Sequence, residues 1–216
     1  MKAIYPSLMV ADLMNLQSEI NRLDNYCAGY HIDIMDGQFV PNITFGSATA
    51  NSIAQSTYKK TWVQLLVERP EDWLDKLFLP AGSIVSFHIE SEGEKIKTIN
   101  RIKEKNWEPS IAISPKTNVD ETFTYLNLIS QVLVMSVTPG FSGQPFLPDM
   151  TSKVDRLVGY RETSGLEFRI GMDGGIDKEN IVMLKDHGVD DFVVGSGIFD
   201  NDDPVAALKE LDSLIS

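Results

Sequence analysis

The run His31-Ile32-Asp33-Ile34 alternates two titratable side chains with two isoleucines. Residues i and i+2 of a strand share a face, so His31 and Asp33 project together while Ile32 and Ile34 bury on the other side. Two more titratable groups end apolar runs: Asp173 in Gly-Met-Asp-Gly-Gly and His88 in Ser-Phe-His-Ile-Glu. Imidazole and carboxylate groups that converge on one mouth can ligate a divalent cation or pass protons as an acid/base set. A second chemistry rests on glycine. Gly174-Gly175 and Gly195-Ser196 each follow an apolar run, and a residue without Cβ lets backbone N–H groups approach phosphate oxygens. Between Thr138 and Gln144 lie Gly140, Phe141, Ser142 and Gly143, which suit a hinged loop whose Gly143 amide meets the same anion from the other side. Plainer roles compete with these. An Asp before Gly-Gly also starts turns, Gly-Ser-Gly is common turn chemistry, and His187 in Leu-Lys-Asp-His-Gly reads as a helix-end residue.

Such groups need a scaffold that points them at one place. Eight short β-rich runs recur: Ala3 to Ser7, Tyr30 to Ile34, Thr61 to Val67, Ile84 to His88, Glu108 to Ile113, Val132 to Ser136, Phe168 to Met172 and Asp191 to Val194. Amphipathic stretches lie between them. Leu13, Leu16, Ile20 and Leu23 predict one apolar helix face with Asp12 as its N-cap. Asp203-Pro204 predicts the start of a last helix striped by Val205, Leu208, Leu211 and Ile215. Strand and helix alternating to the end of the chain predict an α/β fold, a (β/α)8 TIM barrel, with 216 residues giving 27 per unit. An open doubly wound sheet would stop near six strands and carry a glycine-rich first turn, which Tyr-Pro-Ser-Leu-Met is not. No linker, repeat or low-complexity stretch divides residues 1–216, so one catalytic domain is expected. In a barrel the reactive side chains stand at the C-terminal strand ends, and phosphate sits at the loops after strands seven and eight.

Composition narrows the partners. A net charge of -12 repels nucleic acid and anionic membranes, and no apolar run is long enough to span a bilayer. The single Cys27 cannot close an internal disulfide, and the first residues lack the long apolar core of a signal peptide. A cytoplasmic protein acting on a small molecule is expected, as a homo-oligomer.

The strings Tyr-Pro-Ser-Leu-Met, His-Ile-Asp-Ile-Met-Asp-Gly-Gln-Phe-Val-Pro-Asn-Ile-Thr-Phe-Gly, Val-Leu-Val-Met-Ser-Val-Thr-Pro-Gly-Phe-Ser-Gly-Gln-Pro-Phe, Ile-Gly-Met-Asp-Gly-Gly-Ile and Val-Val-Gly-Ser-Gly-Ile-Phe resemble, in this order and over almost the whole chain, the ribulose-phosphate 3-epimerase family. The stretches around Trp62 to Trp73 and Tyr160 to Gly175 are similar to its D-allulose 6-phosphate 3-epimerase branch. The resemblance implies a ribulose-phosphate-binding barrel that inverts C3 of a ketose phosphate, D-ribulose 5-phosphate or D-allulose 6-phosphate. It implies Asp33 and Asp173 as the two-base pair acting through an enediolate. It further implies a divalent cation (Mn, Mg, Zn or Fe) held by His31, Asp33, Asp173 and a third-strand His, with Met35 and Met135 beside the reacting carbon. Two positions depart from that pattern: Gln64 stands where the third-strand His is expected, and Gln38 where Met-Asp-Gly-His-Phe is usual. An amide oxygen is a weaker, harder donor than imidazole, which moves the expected metal from zinc toward manganese or magnesium, or toward low occupancy. Ser7, Gln64 and His88 are the remaining expected substrate contacts. Gln64 also motivates a rival, a catalytically silent sugar-phosphate binder. A phosphate-sugar decarboxylase of the same barrel class fits less well, since it needs a lysine between its aspartates and Ile34 stands there.

Overall fold

Burial alternates along each strand, and that alternation builds the barrel. The computed structural model describes residues 1–216. Its strands are β1 Ala3–Pro6, β2 Gly29–Met35, β3 Lys60–Leu66, β4 Ile84–His88, β5 Glu108–Ile113, β6 Gln131–Met135, β7 Arg169–Asp173 and β8 Asp191–Val194. All neighbours are parallel, in the order β1-β8-β7-β6-β5-β4-β3-β2. A parallel bridge between Ser7 and His31, with the Ala28 N–H donating to the Ile4 carbonyl at 3.2 Å, brings β1 against β2 and nearly closes the ring. The helices are α1 Leu16–Leu23, α2 Ser47–Gln55, α3 Glu71–Leu74, α4 Lys95–Glu104, α5 Thr151–Ser164, α6 Ile181–His187, α7 Ser196–Phe199 and α8 Pro204–Ile215. None is long and apolar enough to cross a membrane.

One face of each strand, including Ile32 and Ile34 of β2, joins the main apolar layer beneath the helices. The other face fills the barrel interior, where Tyr5, Trp62, Ile84, Ala112, Leu133, Met135 and Val193 pack together. Trp62 occupies the centre because Gly171 opposite it has no side chain. A Cβ there would lie 2.8 Å from the indole Cη2, and the indole N–H donates to Ser86 Oγ at 2.7 Å. Farther from the mouth lies a polar floor that the sequence reading did not foresee. Arg169 Nε donates to Asp191 Oδ2 at 2.7 Å while its second nitrogen reaches Oδ1. Gln131 Nε2 also donates to Asp191 Oδ2 at 2.7 Å, and Ser110 Oγ donates to Gln131 Oε1 at 3.0 Å. The Asp191 carboxylate is fully buried, so its charge is tolerated only with that guanidinium in place. Arg169→Met is therefore expected to destabilise the fold by roughly 3 kcal/mol. A urea midpoint unchanged from the parent protein would show that Gln131 alone satisfies the carboxylate.

Two local expectations are corrected. Asp12 does not cap the first α-helix: its carboxylate accepts the Met14 N–H at 3.0 Å and caps a 3-10 turn, Leu13–Asn15. The turn rotates Leu13 off the buried stripe, leaving it 52% exposed, while Ile20 and Leu23 remain in the core. Between β5 and β6 the chain forms a 3-10 segment, Val119–Tyr125, instead of an α-helix. Its Val-x-x-Thr-Phe-Thr-Tyr sequence is β-branched and aromatic, types that lose rotamer freedom in an α-helix. At the other end of the chain Asp203 accepts the Val205 and Ala206 N–H groups at 3.0 and 3.1 Å, with Pro204 in the first turn, as the sequence predicts.

Candidate active site

The C-terminal ends of β2, β3 and β7 carry His31, Asp33, Gln64 and Asp173. Parallel register aligns Asp33 with Gln64 across β2 and β3, and Asp173 with Met135 across β6 and β7. Asp33 is held at both ends, since Ser7 Oγ donates to its Oδ2 at 2.9 Å and Thr44 Oγ1 to its backbone carbonyl at 2.6 Å. The His31 ring is wholly buried and edge-on to Trp62, 5.0 Å between centroids. That contact aims its Nε2 at the carboxylates, 3.4 Å from Asp33 Oδ1 and 3.9 Å from Asp173 Oδ2. Burial alone would disfavour the imidazolium, yet Asp33, Asp173 and the Gln64 oxygen outweigh it and move the His31 pKa up. Asp173 is pushed up to about 7, first because its carboxyl is desolvated and then because Asp33 adds like charge, with His31 opposing both. A carboxyl so placed can carry a proton near neutral pH.

The donor set passes a test for a divalent cation. One ligand atom each from His31, Asp33 and Asp173 lie within 4.8 Å of one another, and Gln64 Oε1 is 2.9 Å from His31 Nε2. One nitrogen and three oxygens, two of them from carboxylates, form a donor set of the kind that holds a divalent cation. His31 Nδ1 has no protein hydrogen-bond partner, so packing on Trp62 and the contact of Nε2 with Gln64 Oε1 orient the ring.

Above these groups opens a cleft of about 570 Å³, counting the part open to solvent, a size for a small molecule. Ser7, Asp33, Met35, Met135 and Asp173 line its inner end. Gly140, Phe141, Ser142, Gly143, Gly174, Gly175, Gly195 and Ser196 line the rest, so the strand-six loop meets the turns after β7 and β8. Side chains hold the loop carbonyls: Ser136 Oγ donates to Gly174 O at 2.6 Å, Asn180 Nδ2 to Gly175 O at 2.8 Å, and Asn42 Nδ2 to Gly140 O at 2.7 Å. Leu66 joins Met35 and Val40 in an apolar wall.

Gln64 and His88 are not among the residues that line the cleft. Both are wholly buried. Gln64 Nε2 lies 2.9 Å from His88 Nε2, and Phe39 covers His88 at 4.9 Å between centroids. Hydrogen-bond contacts link the three side chains in the order His31, Gln64, His88. Gln38 is exposed, and only its backbone N–H is engaged, by Asp36 Oδ1 at 2.9 Å, so that departure from the family pattern does not touch the cleft. His187 sits outside the site with its Nδ1 2.6 Å from Asp155 Oδ1.

Two further residues shape the site. Asp36 accepts the N–H groups of Gln38, Phe39 and Glu68 and pins the loop after β2 to β3, a role signalled only by its place before Gly37. Glu90 lies 3.2 Å from His88 Nδ1, and its spacing two residues after His88 was the available signal. Its carboxyl is held down at about 2: burial pushes it up, but His88, Thr117 and the Ser114 N–H outweigh that.

Comparison with known proteins gives consistent findings. Residues 3–199 match the sequence profile of the ribulose-phosphate 3 epimerase family. A ribulose-phosphate 3-epimerase of Treponema pallidum (strain Nichols) is 36% identical over 195 residues, 90% of this chain and 89% of that protein. The cytoplasmic isoform of ribulose-phosphate 3-epimerase from Oryza sativa subsp. japonica is 35% identical over 213 residues, 96% of this chain and 92% of that one. Among solved structures, KGPDC from Streptococcus mutans superposes with a TM-score of 0.70 at 14% identity, covering 99% of this chain and 97% of that one. At that identity the likeness shows the barrel fold alone.

Proposed function

The chain belongs to the ribulose-phosphate 3-epimerase family, and from that premise we propose how its residues invert C3 of a ketose phosphate. It is an isomerase, a carbohydrate-phosphate 3-epimerase. D-ribulose 5-phosphate is the proposed substrate, with D-allulose 6-phosphate as the six-carbon alternative. The observation that carries this reading is one cleft with Asp33 and Asp173 at its inner end and the glycine loops of three strands at its outer end.

The C3 proton is acidic because it lies beside the C2 carbonyl. Inversion requires its removal from one face and delivery of a proton to the other, so two carboxyl groups must share one proton. Asp173 holds that proton in the proposed resting state, because burial and the nearby Asp33 raise its pKa to about 7. Asp33, fixed by Ser7, takes the proton from C3, and the roles exchange in the reverse direction. In the cation-free site His31 Nε2 presents positive or donor character to both carboxylates and limits their mutual repulsion, a role that passes to the cation when one is bound. Met35, Met135 and Leu66 give the reacting carbon an apolar wall that excludes water from the intermediate. The loop amides of Gly143, Gly175, Gly195 and Ser196 are proposed to bind the phosphate, which explains how a chain of net charge -12 captures an anion. His31, Asp33, Asp173 and the Gln64 oxygen would hold a divalent cation, which when bound supplies Lewis-acid stabilisation of the enediolate charge. A cytoplasmic location and a homo-oligomeric state belong to the same reading; the exposed Leu13, Met14, Ile43 and Phe141 supply apolar surface for contact between copies.

The test is to incubate the purified protein with D-ribulose 5-phosphate and with D-allulose 6-phosphate, each with and without Mn²⁺ or Zn²⁺, and to follow inversion at C3. Inversion of the five-carbon ketose is expected, slowed by chelation. Failure with both sugars under every metal would favour the silent binder that Gln64 suggests. Gln64→His is expected to raise the metal retained through purification, since an imidazole replaces a weak neutral oxygen. Metal content equal to the parent's would place Gln64 outside the coordination shell.

A further inference from the structure

Gln64 can serve a cation only with its oxygen turned inward, because the amide nitrogen has no lone pair to give. The two ends of an amide have the same shape, so something beyond packing must choose between them. The choice is visible in a buried chain of hydrogen bonds. Glu90 Oε1 accepts the Ser114 N–H at 2.8 Å and the Thr117 hydroxyl, while Oε2 faces His88 Nδ1 at 3.2 Å. A carboxylate that already accepts two donors has no proton to offer, so His88 must carry its proton on Nδ1. In a neutral ring the His88 Nε2 is then an acceptor. Its neighbour at 2.9 Å is Gln64, whose NH₂ must turn toward it, with a second contact to Met135 Sδ at 3.2 Å. That leaves Oε1 facing His31 Nε2 at 2.9 Å.

We propose that Glu90 and His88 are positioning residues that set the polarity of the Gln64 amide, so that its oxygen joins the donor group of His31, Asp33 and Asp173. The inference rests on the reading of that group as a cation site. It also accounts for how this chain keeps an oxygen donor at a position where the family pattern expects imidazole. Reversing the chain would aim an N–H of Gln64 at His31 and at any cation beside it.

Glu90→Gln is nearly isosteric and reverses the logic. The new amide oxygen must still accept from Ser114 and Thr117, so its NH₂ faces His88 Nδ1. His88 then moves its proton to Nε2, and Gln64 turns its nitrogen inward. Two measurements follow this. Long-range ¹H–¹⁵N correlation spectra report the His88 tautomer: Nδ1–H is expected in the parent protein and Nε2–H in Glu90→Gln. Titration with Mn²⁺ alone is expected to show a tenfold or greater loss of affinity in Glu90→Gln, the scale seen when partners of metal ligands are removed. In a Gln64→Leu background the same substitution should leave Mn²⁺ affinity unchanged. An Nε2–H tautomer in the parent overturns the proposal, and this measurement stands even if Glu90→Gln fails to fold. An equal loss of affinity in the Gln64→Leu background also overturns it, by showing that the lost charge and not the amide is responsible. If the parent binds no Mn²⁺, the cation reading fails, while the tautomer measured in the same protein still decides whether Glu90 and His88 orient Gln64.

Discussion

Asp173→Asn is expected to abolish epimerisation, with turnover of D-ribulose 5-phosphate falling by about 10³-fold or more while phosphate binding and the fold persist. General acid–base groups contribute roughly 10² to 10⁴ each, and this reaction cannot be completed on one face alone. Asparagine keeps the shape and hydrogen-bonding reach of aspartate but cannot exchange a proton with carbon. Asp33→Asn has the same expected effect for the opposite face. The pair can be told apart in heavy water. The variant lacking the proton acceptor for a given ketose shows no solvent exchange at C3 of that ketose, whereas the variant lacking only the donor still exchanges that proton without inversion. Near-normal turnover in either variant would remove that aspartate from the proton path. Inorganic phosphate binding, measured on both variants, separates a chemical defect from a collapsed cleft.

Gly175→Ala is expected to damage substrate capture where Gly143→Ala does little. Gly175 has φ +62°, and a Cβ there would stand 2.6 Å from the Phe146 backbone nitrogen, 2.9 Å from the Phe146 Cα and 3.0 Å from the Gln144 carbonyl. These are backbone atoms that cannot rotate away, so the strand-six loop must move off the turn after β7, and both segments line the cleft. Gly143 has φ +71°, but a Cβ there meets nothing within 4 Å. Its replacement costs only the left-handed backbone penalty, about 1–2 kcal/mol. KM for D-ribulose 5-phosphate should therefore rise at least tenfold in Gly175→Ala, with a lower melting temperature, and change much less in Gly143→Ala. Equal effects on KM would mean that the contact between the two loops does not shape the phosphate end.

Much of the architecture was legible because it is written in local periods. A strand read with period two puts His31 and Asp33 on one face wherever the strand lies, and Asp203-Pro204 caps a helix with its own side chain. Where local signals compete, the sequence does not decide between them. Asp12 has the chemistry of a helix cap and does cap a turn, but the chain tightens into a 3-10 turn before α1 begins. The run from Val119 to Tyr125 occupies the place of a helix without the residues to sustain one. The polar floor was invisible for a different reason. Arg169, Gln131 and Asp191 look ordinary on their own strands and form a network only when β5 to β8 stand side by side.

The site divides along the same line. The sequence by itself determined which residue types could do chemistry, on which strand and on which face, and it placed the glycines beside them. It could not determine what each group experiences, because desolvation and Coulomb energy depend on distance through space and not on separation along the chain. Asp173 becomes a carboxyl with a pKa of about 7 only because the barrel buries it and brings up Asp33, 140 residues earlier in the chain. His88 ends an apolar strand as a residue of the mouth would, but the fold buries it between Gln64 and Glu90, contacts that no spacing along the chain displays. The curling of the sheet into a nearly closed ring decided these matters, since only that brings eight separately readable strand ends together as one set of interacting charges and hydrogen bonds.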